Sequence, residues 1–502
     1  MKCTIAGTTE DVERVWSEVR AWVDADERRS LYAFERQLWT LLLAVGRALV
    51  ALFLAREAGR PRSLRYEHGG RWYFLSGMCS SSLGTRFGKV AFSRPIGRPV
   101  GKCRGAADRP VDRDLGTCSG FSLGTVLATT RLCAQMAFHN ARDTFKEFHE
   151  WSPSPRAVLR MVDAVGAKAR PFLEQAPAPE DDGEILVIQV DGRGAPMICS
   201  TEKDRRCQPH HERKPNQTRR TGRRLRRQER PKRRRAKGDK SKNSKLAVVG
   251  VIYTLKVTAE GVEGPINKRL YATFESHEAL FVWLRKEADK RGYGRKKTLF
   301  LADGSEHIWR CQEKYFPAAE VCLDWYHVVE KLWEAGACFL EESSPELKAW
   351  VADQTRRLRR GDVAPMLKGL REHLDRIPKT GPGNNGRRKR LEDICEYLEN
   401  HRPRLRYREL RQRDFDIGTG AAEGAVRNLV GIRLDGPGMR WGRGRSERVL
   451  HLRCVLLNGQ WPAFADHLGD RGNVRLLAQP IPAAAHEAKR ERLLSRVTSR
   501  YH

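Results

Sequence analysis

Three acidic residues in this chain stand where carboxylates can carry out phosphodiester chemistry. Asp191 follows the apolar run Ile185-Leu-Val-Ile-Gln-Val190, and Asp303 follows Thr298-Leu-Phe-Leu-Ala302. Glu423 sits in the first turn of a predicted helix, in Gly418-Thr-Gly-Ala-Ala-Glu423-Gly-Ala-Val-Arg427. An acid just past an apolar strand is held rigidly at the sheet end where sites of open α/β sheets gather. Three carboxylates converging there could hold two divalent cations roughly 4 Å apart. The cations would offset the repulsion among the anions. Such a pair activates a water or a 3′-hydroxyl and stabilises the leaving oxygen in phosphodiester transfer. Each acid alone has a plainer reading. Asp-Gly is a common turn dipeptide, and a Glu in a first turn complements the helix dipole. What points to chemistry is the combination, with a helical insertion ahead of the Glu and a dense cationic segment nearby.

The elements that would position these acids follow from hydrophobic pattern. Ile185–Val190 is continuously apolar, as a strand buried on both faces should be. Further strands are predicted at Leu246–Leu255, Arg269–Phe274, Thr298–Ala302 and Glu320–Leu323, with helices over His277–Arg291 and Asp324–Phe339. The order is β-β-β-α-β-(α)-β-α. Residues 345–412 are charged and helical, interrupted by Thr380-Gly-Pro-Gly-Asn-Asn-Gly386, and form an inserted helical subdomain. A last core helix runs from Ala421 to about Arg433.

Upstream, the pattern predicts one helix over 8–58, then short β-like pieces at 71–75 and 89–93, then helices over 121–178. Ser152-Pro-Ser-Pro155 breaks that last stretch. A helix, a tight break and a second basic helix suits helix-turn-helix DNA binding, and equally an ordinary helical hairpin. Pro177–Gly183 is polar and reads as a linker. The resulting divisions are 1–60, 61–178, 184–340 with an arm at 203–245, 341–415, 416–465 carrying Glu423, and a tail at 466–502, expected to be loosely ordered after about residue 470.

Charge narrows the partner. Among 502 residues, 94 Lys+Arg against 62 Asp+Glu give a net +32, which suits a polyanion and disfavours an acidic small-molecule substrate. Lys203–Lys245 holds 20 cations and four acids in 43 residues, half the surplus. With Leu225 nearly its sole apolar side chain it cannot bury a core and is expected to be a disordered arm on nucleic acid. Phosphate contacts of this kind position the chain and specify no sequence. A fully disordered chain is excluded by 40% hydrophobic residues and 12 Trp. Leu38–Ala55 is nearly long enough to span a bilayer, but Arg47 at its centre makes a buried or partner-binding helix the better reading. The N-terminus lacks the apolar core of an export signal, and the 12 Cys are scattered with no CxxC, so the expected setting is cytoplasmic with reduced thiols.

Several strings resemble one family. The order Asp, Asp, helical insertion, Glu on this core resembles an RNase H-like DDE transposase. The segments VIQVDGRGAPM (187–197), LADGSEHIW (301–309), FPAAEVCLDWYHVVEKLW (316–333) and AAEGAVRNLVGIRLDGPGMRW (421–441) resemble the ISKra group of bacterial insertion-sequence transposases. The resemblance covers about residues 85–460. It implies an α/β RNase H-like core, a mixed five-stranded sheet with flanking helices, an all-helical insertion and a mainly helical N-terminal DNA-binding region. It implies that Asp191, Asp303 and Glu423 ligate two Mg²⁺, with Mn²⁺ able to substitute. Asp324 and His327, in a string similar to a [C/D]xxH motif of related families, would support the site. Contacts to DNA are expected from Arg219, Arg220, Arg223, Arg224, Arg226, Arg227, Arg233, Arg234 and Arg235 of the arm, and from Arg427 and Arg433. The chain departs from the group in its longer, more basic arm and in Gly420-Ala-Ala422 ahead of the Glu. The implied activity is metal-dependent cleavage and strand transfer at element ends, by a homo-oligomer on double-stranded DNA in the nucleoid, with no membrane and no small-molecule substrate. The alternatives are an RNase H-like nuclease that cuts without joining and a catalytically dead DNA-binding protein.

Overall fold

The computed structural model describes residues 5–25, 28–101, 107–198, 244–413, 415 and 417–470. The chain forms two compact units, Met1–Phe172 with Gly459–His502, and Leu173–Asn458.

The first unit opens with two helices, α1 (Ile5–Val23) and α2 (Leu31–Gly59), where the pattern predicts one. The division arises at Ser30. Its backbone is extended and its hydroxyl accepts the Ala33 N–H, a cap that starts a new helix. Of the residues of α2 only Leu43, Leu54 and Ala55 are buried, so of the two expected readings, a buried or a partner-binding helix, the buried one does not hold. Among the described residues it is long and apolar enough to cross a bilayer by length and composition. Three antiparallel strands follow in the order β1 (Arg65–His68), β2 (Arg71–Thr85), β3 (Gly88–Pro99). Of these, β2 and β3 run far beyond the short pieces expected at 71–75 and 89–93, pairing along their length on either side of a two-residue turn that leads into Gly88 at φ 124°. Leu54 of α2 packs on Leu83, Val90, Phe92 and Val111. Helices α3 (Pro110–Asp114), α4 (Leu123–Gln135), α5 (Phe138–His149) and α6 (Pro155–Gln175) complete the region. The break at Ser152–Pro155 does separate two helices, and the next buries Val158, Met161, Val162 and Val165 on one face.

The second unit is built on β4 (Ile185–Pro196), β5 (Ser244–Thr258), β6 (Gly261–Thr273), α7 (His277–Lys290), β7 (Lys297–Ala302), α8 (Glu306–Tyr315), β8 (Glu320–Leu323) and α9 (Trp325–Gly336). This is a mixed five-stranded sheet with flanking helices, in the order β6-β5-β4-β7-β8. The pairs β6-β5 and β5-β4 are antiparallel, and β4-β7 and β7-β8 are parallel. Ile185–Val190 is buried throughout, consistent with a central strand covered on both faces. Helices α10 (Pro345–Arg360), α11 (Val363–Arg376), α12 (Asn384–Asn400) and α13 (Tyr407–Arg411) form the insertion. The chain returns through α14 (Gly420–Val426), a π-helical turn over Arg427–Gly431, and α15 (Arg443–Leu457). The last helix, α16 (Trp461–Asp470), belongs to the first unit.

The stretch expected to be a linker is pinned instead. Asp182 pairs with the fully buried guanidinium of Arg291 at 2.6 Å and accepts the Thr254 hydroxyl at 2.7 Å. Burial pushes its carboxyl up, but the Arg291 and Thr254 hydrogen bonds and the charges of Arg291 and Lys296 outweigh this and hold it at about 2. The arm arginines Arg219–Arg235 lie outside the described residues. The strands that bracket the arm pair without a break, from Ile185 opposite Leu255 to Pro196 opposite Ser244.

Candidate functional site

Strand register builds the site. Val190 of β4 stands level with Ala302 of β7, and Ala302 with Leu323 of β8. The next residue on each of the three parallel strands is an aspartate: Asp191, Asp303 and Asp324. Asp191 is not past the end of its strand, as expected, but inside it. Beyond Val190 the pairing with β7 stops, while β4 continues to Pro196 against β5, with Asp191 opposite Val249. The acid therefore sits at the carboxyl end of the parallel half of the sheet, on a strand still braced from the other side.

Asp324 is fully buried and caps α9. One of its oxygens accepts the Thr419 N–H at 2.7 Å, and the other accepts the His327 N–H at 3.1 Å and meets His327 Nδ1. Trp325 donates its N–H to the Ile417 carbonyl at 3.0 Å. These bonds draw the segment leading into α14 against the end of β8. The donor atoms of Asp324, His327 and Glu423 consequently lie within 4.8 Å of one another.

Gln189 fixes α14 from beneath. It is the one polar side chain in the apolar run of β4, and it is buried. Its carbonyl accepts the Ala422 N–H at 2.9 Å, and its amide nitrogen donates to the Gly418 carbonyl at 3.2 Å and the Tyr253 hydroxyl at 3.0 Å. The first-turn N–H groups of a helix have no partner within the helix, so Gln189 satisfies one that Glu423's helix leaves open. Sequence reasoning passed over it, although a lone amide inside a buried strand is itself a signal.

The electrostatics follow from this crowding. Burial pushes the Asp191 carboxyl above its ordinary range, and the negative charges of Asp303 and Glu423 push it further. The Gly192 N–H, at 2.6 Å, and the His327 charge pull the other way. For Asp324 burial raises the carboxyl, but the His327 and Thr419 hydrogen bonds outweigh it and leave the group below its ordinary value. The bond to Asp324 lifts His327 to about 9 against the effect of burial, with Asp303 and Asp191 adding to the rise. The half-exposed imidazole is thus cationic at neutral pH beside the carboxylates.

The insertion also reaches the site. Tyr397 of α12 lies over Gly304, where a Cβ would collide with its ring. Burial raises its hydroxyl above the ordinary range, as do the charges of Asp303 and Asp324. Asp303 itself accepts the Ser305 N–H at 3.0 Å, and its carbonyl accepts the Trp309 indole N–H at 2.8 Å. The tight space over Gly304 explains the glycine after Asp303 better than a turn does.

Beside Glu423 opens a cleft of about 660 Å³, lined by Arg193, Arg427, Ile432, Asp435 and a row of glycines. Arg427 is exposed there. Arg433 is not placed to meet DNA, contrary to expectation. It is 1% exposed, with its guanidinium over the Trp441 ring at 4.8 Å. Trp441 in turn pairs with the end of β4: its N–H donates to the Pro196 carbonyl at 3.1 Å, and its carbonyl accepts the Ile198 N–H at 2.9 Å. The Met439-Arg440-Trp441 motif thus braces the strand that leads into the basic arm. Glu447 also has a structural task. It accepts the Thr273 hydroxyl at 2.6 Å and the Phe274 N–H at 2.8 Å, tying α15 to β6.

Among solved structures, the chain is similar to a Drosophila P element transposase strand transfer complex. The identity is 11%, the match covers 73% of this chain and 86% of that one, and the TM-score is 0.24. No protein-family profile and no curated protein matches the chain.

Proposed function

We propose that this chain is a DDE-type DNA transposase with an RNase H-like core, cutting and joining DNA at insertion-sequence ends. The observation that carries the reading is the register: three aspartates follow level positions on three adjacent parallel strands, and Glu423 is brought to them on a helix clamped to the central strand. The donors fit hard divalent cations, being carboxylates, and burial with the added charges of Asp303 and Glu423 holds Asp191 above its ordinary range. Asp191, Asp303 and Glu423 would hold two Mg²⁺, or Mn²⁺ in their place. A bound pair supplies Lewis-acid activation of a water or 3′-hydroxyl and stabilises the leaving oxygen. A second ligand set, Asp324, His327 and Glu423, is favoured by their mutual approach, and a cation there would have to displace the proton that His327 otherwise carries.

The chain's own residues do the rest. Asp324 holds His327 and the Thr419 backbone, so that the imidazole faces the carboxylates in a fixed orientation. Gln189 keeps Glu423's helix on the sheet. Arg427 offers a cation in the cleft beside Glu423, and the arm arginines from Arg219 to Arg235 neutralise phosphates along the duplex. In this reading the N-terminal unit recognises element ends, its second basic helix after Ser152–Pro155 reading the groove. The protein acts as a homo-oligomer on DNA in the nucleoid.

The test is cleavage of a supercoiled plasmid carrying cognate ends, with Mg²⁺ or with EDTA. Nicking that needs Mg²⁺ and is lost in both Asp191→Asn and Asp303→Asn, with DNA binding retained, supports the proposal. Wild-type rates in folded variants would reject the ligand assignment. Cutting without joining would favour a nuclease, and metal-independent binding without cutting would favour a DNA-binding protein.

A further inference from the structure

The outer face of the three-stranded sheet in the first unit presents two aromatic rings to solvent. Burial alternates along β2: Trp72 and Phe74 are 49% and 45% exposed, while Tyr73 between them is 8% exposed. The inner face is closed, because Tyr73 stacks on Tyr66 and the Tyr66 hydroxyl donates to Asp108 at 2.9 Å. Register arranges the outer face. Phe74 stands level with Arg65 of β1 on one side and Arg98 of β3 on the other. Trp72 stands level with Glu67 of β1, and its carbonyl accepts the Val100 N–H at 2.8 Å. Both arginines are exposed, and neither is ion-paired among the described residues. The Arg65 guanidinium lies over the Trp72 ring at 5.0 Å. Aromatics favour strands, and a single one facing solvent needs no explanation. Here two flat rings lie side by side, with a cation on each flank of the second.

We propose that this face binds single-stranded DNA, with unpaired bases stacked on Trp72 and Phe74 and phosphates held by Arg65 and Arg98. Spacing selects the single strand. Residues two apart on a strand lie about 6.8 Å from each other, twice the roughly 3.4 Å rise per nucleotide along one strand of a duplex. Neighbouring bases occupy both rings only after they part, and bases stacked within a duplex offer the sheet no ring face. The charges fit a polyanion. Arg65 and Arg98 stand on both sides of Phe74, and the one acid of the two rows, Glu67, stands beside Trp72 alone. A base can take the place of Arg65 over Trp72, since both stack on the same ring face, and the guanidinium is then free for a phosphate. An apolar protein partner is a poorer occupant, because it would desolvate both guanidinium groups without pairing them. The surface is separate from the arm and from the helix after Ser152–Pro155. Only the choice of DNA over RNA rests on the proposed function.

Crosslinking and equilibrium binding of the full chain, both without divalent metal, test the face. An oligo(dU) of about 16 nucleotides carrying 5-bromodeoxyuridine should attach on irradiation at Trp72 or Phe74, as mass spectrometry of the peptides would read. Affinity is measured by fluorescence anisotropy at salt high enough to suppress the arm's phosphate contacts. Trp72→Ala with Phe74→Ala should weaken oligo(dU) binding about 30-fold or more and leave duplex affinity within about twofold. Both side chains are exposed, so the far-ultraviolet dichroism should not change. If the double variant folds poorly, single changes decide. Trp72→Phe keeps a flat ring and should keep most of the binding, and Trp72→Leu should lose about tenfold. Arg98→Gln should lower the slope of log affinity against log salt by about 0.7. Crosslinks confined to other segments, or equal losses on duplex and single strand, overturn the proposal. A Trp72→Leu chain that binds as well as Trp72→Phe overturns it too, by giving the face to an apolar partner, and so does tighter binding of oligo(U) RNA than of oligo(dU). None of these readouts needs cutting, so a chain that never nicks DNA yet shows them supports the face and refutes only the transposase reading.

Discussion

Replacing Gln189 with leucine keeps the volume of a buried side chain and removes every hydrogen bond it makes. Three groups then lose a partner: the Ala422 N–H, the Gly418 carbonyl and the Tyr253 hydroxyl. Ala422 and Tyr253 are buried, so water cannot simply replace the amide. A buried donor or acceptor left unsatisfied costs about 1–3 kcal/mol, and partial relaxation of α14 would relieve some of it. A net loss of roughly 2–4 kcal/mol is expected, a large share of a domain's stability of about 5–15 kcal/mol. Urea unfolding should show a lower midpoint at unchanged slope, since the unfolded surface is the same. Hydrogen exchange should locate the change, with the Ala422 amide and its neighbours in α14 losing protection while the centre of β5 keeps it. Metal-dependent nicking should fall as Glu423 loses its fixed position. A Gln189→Leu protein of wild-type stability, with Ala422 still protected, would refute the clamp.

Other outcomes follow from the same structure. Glu423→Gln should lose roughly two orders of magnitude or more in nicking rate with little change in stability. Glu447→Ala should do the reverse, costing about 1–3 kcal/mol by stranding the buried Phe274 N–H, as unfolding and kinetics on both variants would show. Asp182 is held at about 2, below its unfolded value, so its stabilising effect is full above about pH 4 and lost as pH falls through 2. Asp182→Asn should cost roughly 2 kcal/mol or more at pH 7 and flatten that acid slope in pH-dependent unfolding curves. Deleting residues 205–242 should reduce the slope of log affinity against log salt by roughly 5–7, if six to eight of the arm's cations meet phosphates. An unchanged slope in that titration would reject contact between the arm and duplex DNA.

The sequence alone determined the strands and the chemistry available at their ends. A buried central strand is apolar along nearly its whole length, so Ile185–Val190, with Gln189 its one polar residue, and Thr298–Ala302 announced themselves, and so did the aspartates after them. The order of elements and the charge of the arm are likewise local properties that composition and periodicity carry. What the tertiary structure decided is which of these residues meet. Asp324 joins Asp191 and Asp303 because β8 aligns with β7 at one particular register, and short apolar strands of similar composition do not specify a register. Gln189 reaches Ala422 across 233 residues, and Asp324 reaches Thr419 across 95, separations beyond any local pattern. Arg433 was misjudged for the same reason. A cation near a motif reads as exposed until the fold places Trp441 beneath it, and the aromatic face then holds the guanidinium in the interior.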